Sequence, residues 1–283
     1  MTLEEHLSLP IGELLHHSRM GFRLFPDVSS MMDYLARFMA DDILGANARG
    51  ERIRWILPVG PVAQYSRLVE ITNRERISWK NVFTFQMGDF LDWQGRPLPL
   101  DHPMSFEGFM RRQVLGKIDA DLRPDPAHVY FPSPFDPDAI SQSIQDAGGI
   151  DTCFGGVGYH GHVAFNEPPI SRWFKVTAEE MRASRTRVVI LSDDSIVVQS
   201  INCAGGNSAA IPPMAVTLGM KDILAARRIR LYLVGGERHR AVFRMTLLGE
   251  ATQEYPSTLL QGHPDCVLHT DLMTARPIRP SLA

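Results

Sequence analysis

Short apolar runs recur along the chain, and stretches with helical spacing stand between them. Arg54–Pro58, Val82–Phe85, His128–Phe131, Asp151–Phe154, Arg187–Leu191 and Arg230–Val234 have the length of buried strands, whereas Tyr65–Asn73, Phe106–Val114, residues 137–147 and Glu237–Leu248 read as helices. A longer helix precedes them. Ser29 and Ser30 can cap it, Met31, Met32, Leu35, Phe38, Met39 and Ile43 recur at helical spacing, and Gly45 and Gly50 end it. Alternation of this kind folds as parallel βαβ units. The predicted class is therefore α/β, a mostly parallel Rossmann-like sheet with helices on both faces. Residues 1–30 are expected to form an N-terminal extension and 31–283 a single α/β domain. Ligands of such folds lie beyond the carboxyl ends of the strands, which makes loops 58–63, 86–93, 155–168 and 235–239 the candidates for a site.

Composition removes several functions. With 29 Lys+Arg against 32 Asp+Glu, the net charge of −3 lacks the basic excess of a dedicated nucleic-acid binder. Cys153, Cys203 and Cys266 are widely spaced and form neither a disulfide framework nor a zinc-finger motif, which suits a reducing compartment. The opening MTLEEHLSLP has no basic n-region, and the apolar runs fall short of the roughly 20 residues of a membrane span. A soluble cytoplasmic enzyme is expected, with neither nucleic acid nor membrane as partner.

Loop 155–168 carries the most chemistry: Gly155-Gly156-Val157-Gly158-Tyr159-His160-Gly161-His162-Val163-Ala164-Phe165-Asn166-Glu167-Pro168. Its glycines permit tight turns and close approach to a ligand, and histidine moves protons near neutral pH. The segment resembles the signature of the glucosamine-6-phosphate deaminase/isomerase family, Gly-x-Gly-x-Asp-Gly-His-x-Ala-Phe-Asn-Glu-Pro. Gly156, Gly158, Gly161, His162, Ala164, Phe165, Asn166, Glu167 and Pro168 match. Val82–Phe90, His102–Phe106, Ser184–Arg187 and Ala215–Gly219 resemble further family segments, so the likeness runs over roughly residues 30–275.

The resemblance implies a phosphosugar pocket and an acid–base isomerisation coupled to loss of ammonia, in an enzyme that forms homo-oligomers. It places ring opening on His162 assisted by Glu167. Substrate contacts are expected at Gly60, Gly88, Gly156, Gly158, Tyr159, Gly161, Asn166 and His239. Here the chain departs from the pattern. The family's C2-proton base falls at Gly88, its neighbouring acid is Asp89, and His160 replaces an aspartate. The hydroxyl-bearing phosphate loop reads Val59-Gly60-Pro61-Val62, a family arginine falls near Ile201 and a family lysine near His239. Arg238, Arg240 or Arg67 are the available substitutes.

Three expectations follow. The first is an enzyme acting on a non-phosphorylated sugar or sugar derivative, with His162, Glu167 and His160 moving protons and Asp89 as a further acid, and without a cofactor. The second is metal-assisted hydrolysis, including lactone hydrolysis, with His160, His162 and Glu167 holding a divalent ion such as zinc or manganese. The third is a non-catalytic sugar-binding protein. Trp173 and Phe174 could form a lid, and residues 202–208 read as a flexible loop.

Overall fold

The computed structural model describes residues 2–278. Its strands are β1 (Gly21–Phe25), β2 (Ile53–Leu57), β3 (Val82–Gln86), β4 (Gly88–Leu91), β5 (Val129–Tyr130), β6 (Thr152–Gly156), β7 (Arg187–Ile190), β8 (Met214–Thr217), β9 (Arg228–Leu233) and β10 (Cys266–Asp271). The α-helices are α1 (Leu3–Ser8), α2 (Leu14–His17), α3 (Val28–Arg49), α4 (Ala63–Arg74), α5 (Phe106–Phe109), α6 (Asp138–Asp146), α7 (Ala178–Arg182), α8 (Asp193–Cys203), α9 (Met220–Leu224), α10 (Arg240–Leu248) and α11 (Leu272–Ala275).

Seven strands form one parallel sheet in the order β1-β10-β9-β6-β2-β3-β5. A parallel sheet is covered on both faces, and all of Val82–Gln86 is buried accordingly. Trp55 of β2 meets Trp79 and Phe154 edge-on, with ring centroids 5.7 and 5.6 Å away. The remaining strands form a small antiparallel sheet, β4-β8-β7, over a core of Phe90, Phe165, Leu191, Ile211 and Ala215.

The predicted α/β class is what forms, but several local expectations need correction. The stretch taken as an extension supplies β1, whose residues Gly21–Phe25 pair in register with Val267–Asp271, and Leu14 is buried in the main core. Asp27, not Ser29 or Ser30, caps α3: its carboxylate accepts the Ser30 N–H at 2.8 Å. That helix runs through Gly45 and ends at Gly50, whose φ of 66° is the left-handed conformation favoured by glycine. Phe106–Val114 is α-helical only to Phe109 and continues as a π-helical turn. Strand β7 joins the small sheet instead of extending the parallel one. No helix among the described residues is long and apolar enough to cross a membrane.

Candidate active site

The ends of β2, β3, β6 and β9 open into one cleft of about 550 Å³. Pro58–Val62 line it after β2, Met87 and Gly88 after β3, Gly156–Tyr159 after β6, and Val234, Gly235, Arg238 and His239 after β9. Helix α8 closes the remaining side with Ser195, Val198, Gln199, Asn202 and Cys203. Those positions follow i, i+3, i+4, i+7, i+8, one face of a helix.

The signature loop carries His162 on a tight hairpin. Val157 and Val163 bridge antiparallel, the Gly158 N–H donates to the His162 carbonyl at 2.9 Å, and Gly161 takes a φ of 70°. The hairpin folds the His162 ring onto the backbone of Gly158, where any Cβ would fall 1.9 Å from Nε2. Glycine is required there by the ring, and at 161 by the ring of Tyr255 as well as by φ. His162 lines the cleft with Nδ1 free of any hydrogen-bond partner. Burial, reinforced by His160 and His239, lowers its pKa to about 3, so the imidazole is neutral at physiological pH. His239 also lines the cleft, its ring packed on Gly235, and burial lowers its pKa too.

Other predicted catalytic residues lie elsewhere. Asp89 is turned into the fold: its carboxylate accepts the N–H groups of Phe90, Phe106 and Glu107 at 2.8, 2.8 and 2.9 Å and so holds α5 against β4. Burial raises its pKa to about 6 despite those donors. Glu167 does not orient His162. Its Oε2 accepts the Ser192 N–H at 2.8 Å, at the start of α8. His160 does not line the cleft; its Nε2 faces Asp194 of α8 at 3.4 Å, and its ring centroid is 5.9 Å from that of His162. The expected metal set therefore does not converge, and the described residues contain no group of three or more His, Cys, Asp or Glu placed to hold an ion.

The expected binding residues also divide. Gly60, Gly88, Gly156, Gly158, Tyr159 and His239 line the cleft, whereas Gly161 and Asn166 do not. Asn166 is fully buried, donating to the Val163 and Leu218 carbonyls and accepting from Arg187. It braces the loop. The proton-abstraction position is closed: a Cβ on Gly88 would lie 2.7 Å from the Val216 carbonyl oxygen and 3.0 Å from the Phe165 ring. Among the described residues, no Asp or Glu lines the cleft. Arg238 does line it, hydrogen-bonded to the Asn202 side-chain oxygen at 3.3 Å. Arg67 is paired with Asp33 and Arg240 with Glu237, both outside the cleft.

The residues missed from sequence are those of α8. Their signal is the cleft-facing spacing from Ser195 to Cys203 behind the capping Ser192, whose hydroxyl accepts the Ser195 N–H. Trp173 and Phe174, expected as a lid, are 82% and 60% exposed and do not line the cleft.

No family model matches the chain. Among curated proteins it is 30% identical over 253 residues to a glucosamine-6-phosphate deaminase of Porphyromonas gingivalis, covering 87% of this chain and 89% of the relative. It is 29% identical over 262 residues to human glucosamine-6-phosphate deaminase 1, covering 88% and 84%. A solved monomeric glucosamine-6-phosphate deaminase superposes with a TM-score of 0.76 at 23% identity, over 90% of this chain and 99% of that one. A 6-phosphogluconolactonase from Thermotoga maritima gives 0.64 at 15% identity, over 89% and 99%.

Proposed function

We infer the function from one premise: the chain belongs to the glucosamine-6-phosphate deaminase family. It is a deaminase/isomerase-like carbohydrate enzyme, and we propose that it opens the ring of a small sugar derivative by proton transfer through His162. The neutral imidazole accepts the proton of the anomeric hydroxyl and returns a proton to the ring oxygen. Because burial depresses the pKa of the ring, a free imidazolium is unfavourable there, so uptake of the proton from the hydroxyl and its delivery to the ring oxygen are proposed as one concerted shuttle.

The observation that carries this reading is the chemistry left in the cleft: among the described residues, His162 faces it and no Asp or Glu does. Abstraction of the C2 proton by a carboxylate is not part of the proposal, because Gly88 is closed to a side chain and Asp89 is engaged by three backbone donors. The expectation of a phosphate-free substrate finds no support. The curated relatives are named for a phosphorylated sugar, and Arg238 presents a guanidinium to the cleft. Phosphorylated and free sugars both belong among the substrates to be tried. Cytoplasmic residence and homo-oligomeric assembly, expected from sequence, are part of the same proposal, and light scattering of the purified protein tests the latter.

A second reading, lactone hydrolysis, is favoured by the same carboxylate-free cleft, in which the neutral His162 and His239 could draw a proton from water. The likeness to a lactonase fold is compatible with it. The experiment is a panel of hexoses, amino hexoses, their 6-phosphates and the corresponding lactones, assayed with wild type and His162→Ala. The expected result is turnover of an aldose that falls at least 100-fold in the variant. Turnover of lactones alone selects the second reading. An unchanged rate in His162→Ala would place the chemistry elsewhere.

A further inference from the structure

We propose that this enzyme is an anomerase: it interconverts the α and β anomers of an aldose and leaves C2, with its hydrogen and its hydroxyl or amino group, unchanged. The inference rests on ring opening through His162 and adds where the reaction stops. His162 Nδ1 is buried, so the proton passes through Nε2, the nitrogen that lies over Gly158. Nε2 takes the proton of the anomeric hydroxyl as the C1–O5 bond breaks. The electron pair of that bond goes to O5, which receives the proton, and C1 becomes an aldehyde. Rotation about C1–C2 and the reverse transfer close the ring on the other face. No atom is gained or lost, and no oxidant, reductant or co-reactant is needed. The cleft of about 550 Å³ lies within the range of small-molecule sites and gives the aldehyde room to turn.

What ends the reaction there is the wall beside C2. Relaying a proton between two oxygens needs one imidazole, whereas taking a proton from carbon needs a positioned base that holds it. The resemblance puts that base at position 88, after β3. There the cleft is lined by Met87, Gly88, Phe106 and Phe165. The rings of Phe106 and Phe165 stack with centroids 5.9 Å apart, and Phe165 together with the Val216 carbonyl leaves no room for a side chain on Gly88. The remaining titratable groups of the cleft do not replace the base. Tyr159 and Arg238 offer O–H and N–H donors. The Cys203 thiol donates to the Gln199 carbonyl at 3.0 Å, and burial raises its pKa. His239 follows β9, which β6 and β2 separate from β3. At the usual strand spacing those two strand ends lie about 14 Å apart. Burial and the neighbouring Arg238 also lower the His239 pKa, which weakens it as a base.

Proton NMR in D₂O, with D-glucose 6-phosphate and D-glucosamine 6-phosphate as probes, reads both halves of the proposal. Magnetisation exchange between the two anomeric protons measures ring opening and closing. The intensity of the C2 proton measures attack at carbon. The full-length enzyme is expected to raise anomer exchange of at least one probe at least tenfold over buffer, with the C2 proton retained and neither ketose nor ammonia formed. His162→Ala should return exchange to the buffer rate, and so should His162→Gln, which fills more of the space without a titratable group. Deuterium at C2, a ketose or released ammonia would overturn the proposal while leaving ring opening intact. No exchange above buffer with either probe would overturn both. Exchange that persists in both His162 variants would overturn the route through Nε2.

Discussion

At residue scale, Asp89 shows how a carboxylate can be acidic in composition and structural in fact. It accepts three backbone N–H groups, two of them the first donors of α5. Asp89→Ala leaves those donors without their partner and should lower unfolding free energy in urea by about 2 kcal/mol. The pH dependence has a definite sign. Burial raises the folded pKa from 3.8 to about 6, so this group's contribution to stability is complete below pH 3.8 and is lost as pH rises through 6. The stability difference between wild type and Asp89→Asn should therefore shrink between pH 4 and pH 6. A difference that grows over that interval contradicts the assignment. For His162 the sign reverses. Its folded pKa is depressed, so its contribution is present above pH 6.5 and declines as pH falls toward 3. Gly158→Ala offers a separate check on the same histidine. The new methyl group must displace the ring, and turnover is expected to drop at least tenfold while the fold persists by circular dichroism.

At the scale of elements, the parallel core was legible because β2, β3, β6 and the second half of β9 are largely buried apolar runs, and hydrophobic patterning reports burial directly. What escaped was set by tertiary pairing. Strands β1 and β10 lie on one side of the sheet and carry polar residues such as Arg23, His269 and Thr270. Strand β4 follows β3 after a single residue, so one apolar run hides two strands belonging to different sheets. The site divides the same way. Motif matching located His162, but the neighbours assigned from the motif were pulled into structural roles that only the packed loop reveals. Glu167 is the sharpest example, since its contact is with Ser192 at the start of α8 and not with the histidine five residues before it. This contact predicts a result opposite to that for a proton carrier. Glu167→Gln keeps an acceptor for the Ser192 N–H and should retain activity within about fivefold. Glu167→Ala releases the start of α8 and should raise KM more than it lowers kcat, because α8 contributes one wall of the cleft. Abolished turnover in Glu167→Gln would restore the residue to the chemistry.

At the scale of the molecule, the segments flanking the sheet are joined through one buried cation. Arg244 of α10 has no solvent exposure, and its guanidinium donates to the carbonyls of His6, Leu9, Ala275 and Arg276. Among the described residues its charge is met by backbone carbonyls, and burial lowers its pKa to about 10, still well above physiological pH. The same helix begins beside the cleft at His239, so the staple ties the early helices and the last strand–helix unit to an element that bounds the site. Arg244→Leu preserves bulk while leaving four carbonyls without their donors. At a net 0.5–1.5 kcal/mol for each such hydrogen bond the four sum to about 2–6 kcal/mol, and water reaching the freed carbonyls brings the expected loss to about 2–4 kcal/mol. The local consequence is more diagnostic than the total. Residues 3–17 are then held by Leu14 in the core, by Leu9 and Ile11 packed against it, and by the Leu7 carbonyl accepting the Ile278 N–H at 2.8 Å, so limited proteolysis should cleave before residue 18 ahead of the rest of the chain. Because β1 remains zipped to β10 over five residue pairs, sugar binding at the cleft should survive that cut. Simultaneous loss of binding and of the N-terminal segment would show instead that the two ends of α10 act as one unit.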